Sequence, residues 1–174
     1  MRTLRYSVAA SLDGYIAGPK GEFDWIPVDP EIDFAALYAS FSALVMGRRS
    51  YEVYLSTGGG VGPELPVYVY SRTRPEGTRD GVTFVREAVP HVRELKRESG
   101  DKPLWLWGGA ELFRELAAAG LVDGVDVAVL PIVLGGGLSL MAAPGPRLSL
   151  RLKRHRLYGA TGTLFLEYDV VHGA

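Results

Sequence analysis

The chain has 174 residues, 47% of them hydrophobic and 22% charged, which is the composition of a globular protein and the length of one domain spanning 1-174. Nineteen basic against twenty acidic residues leave a formal charge of −1, so no global field draws in nucleic acid or an anionic membrane surface, and neither partner is expected. The lack of cysteine removes disulfides, thiolate metal sites, iron–sulfur clusters and cysteine nucleophiles together; no secretory or membrane-length apolar run is present, so the expected location is cytoplasmic.

Leu4, Tyr6 and Val8 alternate with Arg5, Ser7 and Ala9, the period-2 pattern of a strand with one better-buried face. That strand ends at Asp13-Gly14, and from there to Pro30 glycines and prolines are interleaved with Phe23, Trp25 and Ile26, a long loop of the kind that often carries function. Asp29-Pro30 reads as a helix start, followed by Phe34, Leu37, Tyr38 and Phe41 at i, i+3, i+4 and i+7. The continuous apolar run 43–46 predicts a strand buried on both faces and stopping at Gly47, with a second helix through Tyr51 to Leu55. A glycine-rich loop over 57–63 precedes strands at 67–70 and 82–85. Pro90 opens a helix carrying Val92 and Leu95, and 100–103 breaks it before the compact apolar run 104–107. A helix over 110–119 ends at Gly120, the residue expected just past a helix C-terminus. Residues 125–134 read as a strand, 135–137 as a turn, and alternating apolar residues around 148–152 and 164–170 as two last strands. Strands alternating with helices, then strands alone, predict an α/β protein: a three-layer α/β/α sandwich with a mostly parallel central sheet and antiparallel C-terminal strands.

In such a sheet, ligands bind beyond the carboxyl ends of the strands, where helix N-termini present free N–H groups. Two segments run from a buried strand through glycine into a helix. One is Gly47-Arg48-Arg49-Ser50; the other is Gly108-Gly109-Ala110-Glu111. Each alone is satisfied by a tight turn, but the pair in one sheet points to phosphate binding. The G-x-G-x-x-G and G-x-x-x-x-G-K-[ST] fingerprints and the G-x-S-x-G elbow are absent from the sequence. His91, His155 and His172 show no metal-ligand spacing, so no metal is expected. The basic run 151–156 reads as a solvated strand face.

Five ordered motifs carry a family resemblance: Ser11-Leu12-Asp13-Gly14-Tyr15-Ile16-Ala17, Val45-Met46-Gly47-Arg48-Arg49-Ser50-Tyr51-Glu52, Tyr70-Ser71-Arg72, Trp107-Gly108-Gly109-Ala110-Glu111-Leu112 and Pro131-Ile132-Val133-Leu134-Gly135-Gly136-Gly137. Together they resemble the dihydrofolate reductase-like superfamily, in its branch related to the riboflavin-biosynthesis reductase domain. The resemblance implies NADPH as cofactor. Gly47, Arg48, Arg49 and Ser50 would form the first phosphate turn, and Gly108, Gly109, Ala110 and Glu111 the second. Ser71 and Arg72 would meet the adenosine 2′-phosphate, with the backbone of Ile16 and Ala17 on the nicotinamide carboxamide and Trp107 bordering nicotinamide and substrate.

The implied activity is hydride transfer to a small heterocyclic or sugar-linked substrate, with 5-amino-6-(5-phosphoribosylamino)uracil reduction as the model. Dihydrofolate reduction and a non-catalytic nucleotide-binding module of the same fold are the alternatives. For the proton donor the candidates are Asp13, Glu31 and Asp33. Asp13 also suits a tight Asp-Gly turn, and Glu31 could merely complement a helix dipole. Phe23 and Trp25 are substrate-wall candidates or loop anchors. Related domains pair, and the apolar terminal strands leave sheet edges to protect, so a homodimer is expected.

Overall fold

The computed structural model describes residues 1–58 and 65–173. Most of the glycine-rich loop expected over 57–63 lies outside them. In chain order the elements are β1 (Leu4–Ser11), β2 (Tyr15–Ala17), α1 (Phe34–Ala39), β3 (Ala43–Gly47), α2 (Arg48–Ser56), β4 (Val67–Tyr70), β5 (Gly77–Arg79) and β6 (Val82–Val85). There follow α3 (Ala88–Arg97), β7 (Leu104–Gly108), α4 (Ala110–Ala118), β8 (Gly124–Leu130), β9 (Leu138–Ser139), β10 (Ser149–Tyr158) and β11 (Thr163–Val171).

The main sheet has nine strands in the order β10-β11-β8-β1-β7-β3-β4-β6-β5. The six from β8 to β6 run parallel, and β10, β11 and β5 run against their neighbours. This is the α/β class expected, with the antiparallel strands mostly at the C-terminal side.

The two continuous apolar runs explain the two cores. Along β3, Ala43 and Val45 point to one face and Leu44 and Met46 to the other; along β7, Leu104 and Leu106 oppose Trp105. Helices α3 and α4 cover the first face with Val92, Leu95, Leu112 and Leu116. On the second, Tyr38 and Phe41 pack around Trp105, whose indole stacks on Phe41 at 4.6 Å between ring centroids, and Tyr51 packs edge-on against Phe84 in the same cluster. Strands that must bury both faces cannot alternate with polar residues, hence the unbroken runs.

Three expectations need correction. The first helix starts at Phe34 rather than Pro30, because Asp33 caps it by accepting from the Ala36 N–H; Asp29 instead accepts from Glu31 N and turns the preceding loop. The strand placed over 125–134 ends at Leu130, where Pro131 lacks the N–H to continue a ladder. The short strands β2, β5 and β9 went unread. Gly137, expected as a simple turn, also makes a close approach: at φ +144°, a Cβ there would stand 2.1 Å from the Ala17 carbonyl oxygen.

The ladder between β1 and β7 covers only Leu4 to Tyr6, whereas β1 pairs with β8 from Arg5 to Ser11. Beyond Tyr6 the two central strands part, and the Trp105 indole N–H donates to the Ser7 carbonyl at 2.8 Å. Among the described residues no helix is long and apolar enough to cross a membrane.

Candidate functional site

A cleft of about 2060 Å³ opens at the carboxyl ends of the parallel strands, larger than the roughly 300–1,000 Å³ of a single small-ligand pocket. Its middle is made by the β3–α2 and β7–α4 turns. Ser50 Oγ is so close to the second turn that a Cβ on Gly108 would lie 2.9 Å from it, and one on Gly109 3.3 Å. Gly108 sits at φ +148°, a backbone that L side chains rarely adopt, so glycine there serves both conformation and approach. Gly47 and Gly109 are the N-caps of α2 and α4, and neither helix has a side-chain cap. The first-turn N–H groups of both therefore face the cleft unshielded, carrying the positive end of each helix dipole. Glu111, in the first turn of α4, is drawn onto Arg114.

The structure brings the cofactor-site candidates into this one cleft. Arg48, Arg49 and Ala110 line its middle, and Trp107 borders it on the α1 side. Ile16 and Ala17 reach it from β2, which pairs with β9. Ser71 and Arg72 lie at its far end, just past β4. The Ser71 hydroxyl is already engaged, accepting from Thr73 N at 3.3 Å and Arg74 N at 3.1 Å. The Arg72 guanidinium is exposed and 3.9 Å from Glu115 of α4, so a carboxylate does stand beside it in space although none does in sequence. Also at this end, the Tyr70 hydroxyl meets His91 Nδ1 at 2.8 Å. Burial raises the Tyr70 pKa and lowers that of His91.

The three carboxylates singled out in the sequence are bonded elsewhere. Asp13 accepts from the Ser11 hydroxyl and from the N–H groups of Leu134 and Gly135, and these bonds, the Ser11 one foremost, hold its carboxyl below the usual range. It fastens the loop after β8 to the turn after β1. Glu31 accepts from Gly159 N and Arg156, and Asp33 caps α1.

The carboxylate that sequence reasoning missed is Asp29. It is 2% exposed, lines the cleft, and accepts from Glu31 N at 2.8 Å and from the Thr161 hydroxyl at 2.6 Å. Its signal in the sequence was an Asp-Pro pair in the long loop, which reads equally well as a helix cap. Phe23 lines the same part of the cleft with Phe34, Tyr158 and Phe165. The Trp25 indole turns back on its own loop, donating to the Glu22 carbonyl at 3.2 Å. Among the described residues no cluster suited to a metal ion occurs.

Comparison with known proteins agrees with this fold. The chain is 29% identical to the uncharacterized protein YyaP of Bacillus subtilis (strain 168), covering 91% of this chain and 90% of that one. It is 30% identical to YwjB of the same organism, also uncharacterized, over 91% and 92%. A crystal structure of a Shewanella sp. PV-4 protein named for riboflavin biosynthesis superposes with a TM-score of 0.82 at 27% identity, covering 99% and 100% of the two chains. At 16% identity, two structures share the fold. The Thermotoga maritima diaminohydroxyphosphoribosylaminopyrimidine deaminase/5-amino-6-(5-phosphoribosylamino)uracil reductase does so with a TM-score of 0.69, over 98% of this chain and 57% of that one. Dihydrofolate reductase from Enterococcus faecalis, complexed with NADP(H), gives 0.66 over 97% and 96%. The family model described as the RibD C-terminal domain matches residues 2–164. With the paired strand–glycine–helix turns, the parted central strands and this match in hand, the chain belongs to the RibD C-terminal domain family.

Proposed function

We propose that the chain is an NADPH-dependent reductase acting on a small heterocyclic or sugar-linked substrate. The observation that carries this reading is the meeting of two uncapped helix N-termini across Ser50 and Gly108. Backbone N–H groups held that close, with only the small Ser50 hydroxyl between them, suit a pyrophosphate. The fold shared with an NADP(H)-bound reductase and with a uracil-type reductase supports the choice of nucleotide and of reaction.

Gly47, Arg48, Arg49 and Ser50 with Gly108, Gly109, Ala110 and Glu111 would hold the two phosphates. The Ile16–Ala17 backbone would orient the carboxamide, and Ser71 and Arg72 would frame the adenosine end. When bound, NADPH supplies the hydride. The protein's own part is to aim that end of the cofactor at the substrate and to manage one proton. Trp107 and Phe23 wall the substrate side with flat apolar surface. To Asp29, among the four carboxylates considered, we assign the proton that accompanies the hydride, because it faces the cleft, is buried and shares a bond with Thr161. A carboxyl group held within reach of the reacting group is one of the side chains that can pass a proton. Asp13, Glu31 and Asp33 would then hold the scaffold around it.

We place a homodimer in the same proposal. Strand β10 is the outermost of the sheet, and its residues from Ser149 to Leu157 are all exposed, with Leu150, Leu152 and Leu157 at 42%, 50% and 64% exposure. An edge of this kind is commonly covered, and a second copy would cover it.

Fluorescence titration with NADPH tests the reading. Micromolar binding supports it, and no binding by the wild type overturns it. A sedimenting species of ~19 kDa at micromolar concentration would remove the dimer.

A further inference from the structure

Four arginines that line the cleft already have a carboxylate partner within the protein. Arg48 pairs with Glu52 at 2.6 Å, Arg154 with Glu167 at 2.8 Å, Arg114 with Glu111, and Arg72 with Glu115 at 3.9 Å. The first three join neighbours on one helix or on one hairpin. The Arg72–Glu115 pair instead bridges two separate elements, the turn after β4 and helix α4, across the end of the cleft. At 3.9 Å the two charges attract without sharing a hydrogen bond, and the Arg72 side chain is 86% exposed. Its donors are therefore still available to a ligand. The Ser71 oxygen accepts two backbone N–H bonds of its own turn and carries no charge, so the positive charge beside it comes from the Arg72 guanidinium.

Resting on the cofactor reading above, we propose that Glu115 sets the balance between NADPH and NADH by acting as an internal stand-in for the cofactor's 2′-phosphate on Arg72. A 2′-phosphate arriving at Arg72 shares the guanidinium's field with this carboxylate and sits beside its negative charge, which weakens NADPH. A ribose 2′-hydroxyl meets the same carboxylate as a hydrogen-bond acceptor, the arrangement by which acidic side chains favour NADH in dinucleotide sites. The chain therefore carries one group for each cofactor, Arg72 for the phosphate and Glu115 for the hydroxyl. Its preference for NADPH is narrower than the sequence pair Ser71-Arg72 implies.

Glu115→Gln removes the charge and keeps the shape on an exposed stretch of α4, so the fold is retained, which a melting curve verifies. The expected result is NADPH binding tighter by roughly three- to tenfold, the range for relieving one exposed charge beside a doubly charged phosphate. NADH binding stays unchanged or weakens. Competition with 2′,5′-ADP and 5′-AMP isolates the adenosine end, and the first should improve with Glu115→Gln while the second does not. Raised salt should shrink the difference, since both side chains are solvated. Equal change in the two cofactors, or none, overturns the inference while leaving the cofactor reading standing if the wild type binds NADPH. A wild type that binds neither nucleotide overturns both.

Discussion

The two halves of the cleft are built in different ways. The middle, where phosphates would sit, is made of consecutive residues: Gly47 to Ser50 follow β3 directly, and Gly108 to Glu111 follow β7. Backbone N–H groups would do the recognising there, so the information lies in a few adjacent positions. The side proposed for the substrate takes Asp29 from the loop before α1 and its partner Thr161 from the turn between β10 and β11, 132 residues apart in the chain. Side-chain chemistry assembled over that separation leaves no spacing to read. A fold can therefore announce its cofactor while keeping its substrate hidden.

The sharpest way to break this contrast is Gly109→Asp. Aspartate is a favoured N-cap, so α4 should persist, yet the carboxylate would repel a phosphate at the helix end. NADPH affinity should fall on the order of 100-fold or more, with at most a modest drop in melting temperature as Ser50 gives way to the new side chain. Retained affinity would mean that this turn is only structural. Next comes Asp29→Asn, expected to lower turnover by about 100-fold, within the range for losing an acid–base group, while NADPH affinity stays within about twofold. If it weakens cofactor binding instead, the two halves are not separate. Arg72→Ala should weaken NADPH by roughly tenfold, the low end for hydrogen bonds to a charged group, because its guanidinium is so exposed. NADH should hardly respond; equal losses would assign Arg72 to the fold.

The smallest effect concerns Asp13. Its folded pKa lies below the ordinary value of 3.8, so its ionised form is favoured by folding. That contribution is present above the unfolded pKa and fades as pH falls through the folded one. Asp13→Asn should therefore lower the melting temperature slightly near neutral pH, and the gap to wild type should shrink as pH falls below about 4. A gap independent of pH would show that charge at Asp13 is irrelevant to the loop it fastens.

What the sequence disclosed follows the same division. Runs such as Ala43 to Met46 and Leu104 to Trp107 were legible because burial on both faces demands them. Strands β2, β5 and β9 have two or three residues, too few to show a period, and they form through partners such as the Gly137 approach to Ala17. The first helix was misplaced because two aspartates four residues apart both resemble caps. Only the folded chain shows that Asp33 takes the helix while Asp29 is claimed by Thr161. Glu115 beside Arg72 was equally unreadable, since the contact crosses 43 positions between two elements.

The parting of β1 from β7 beyond Tyr6 has a further consequence. Trp105 belongs to two structures at once: its ring is wedged among Tyr38 and Phe41 in the interior, and its N–H grips Ser7 at the lip of the opening. It works as a strut, fixing how wide the gap stands by how the interior packs. Variation at Phe41, which is buried and does not line the cleft, would be felt at the mouth of the cleft, and the tightness of the core becomes a setting for the aperture.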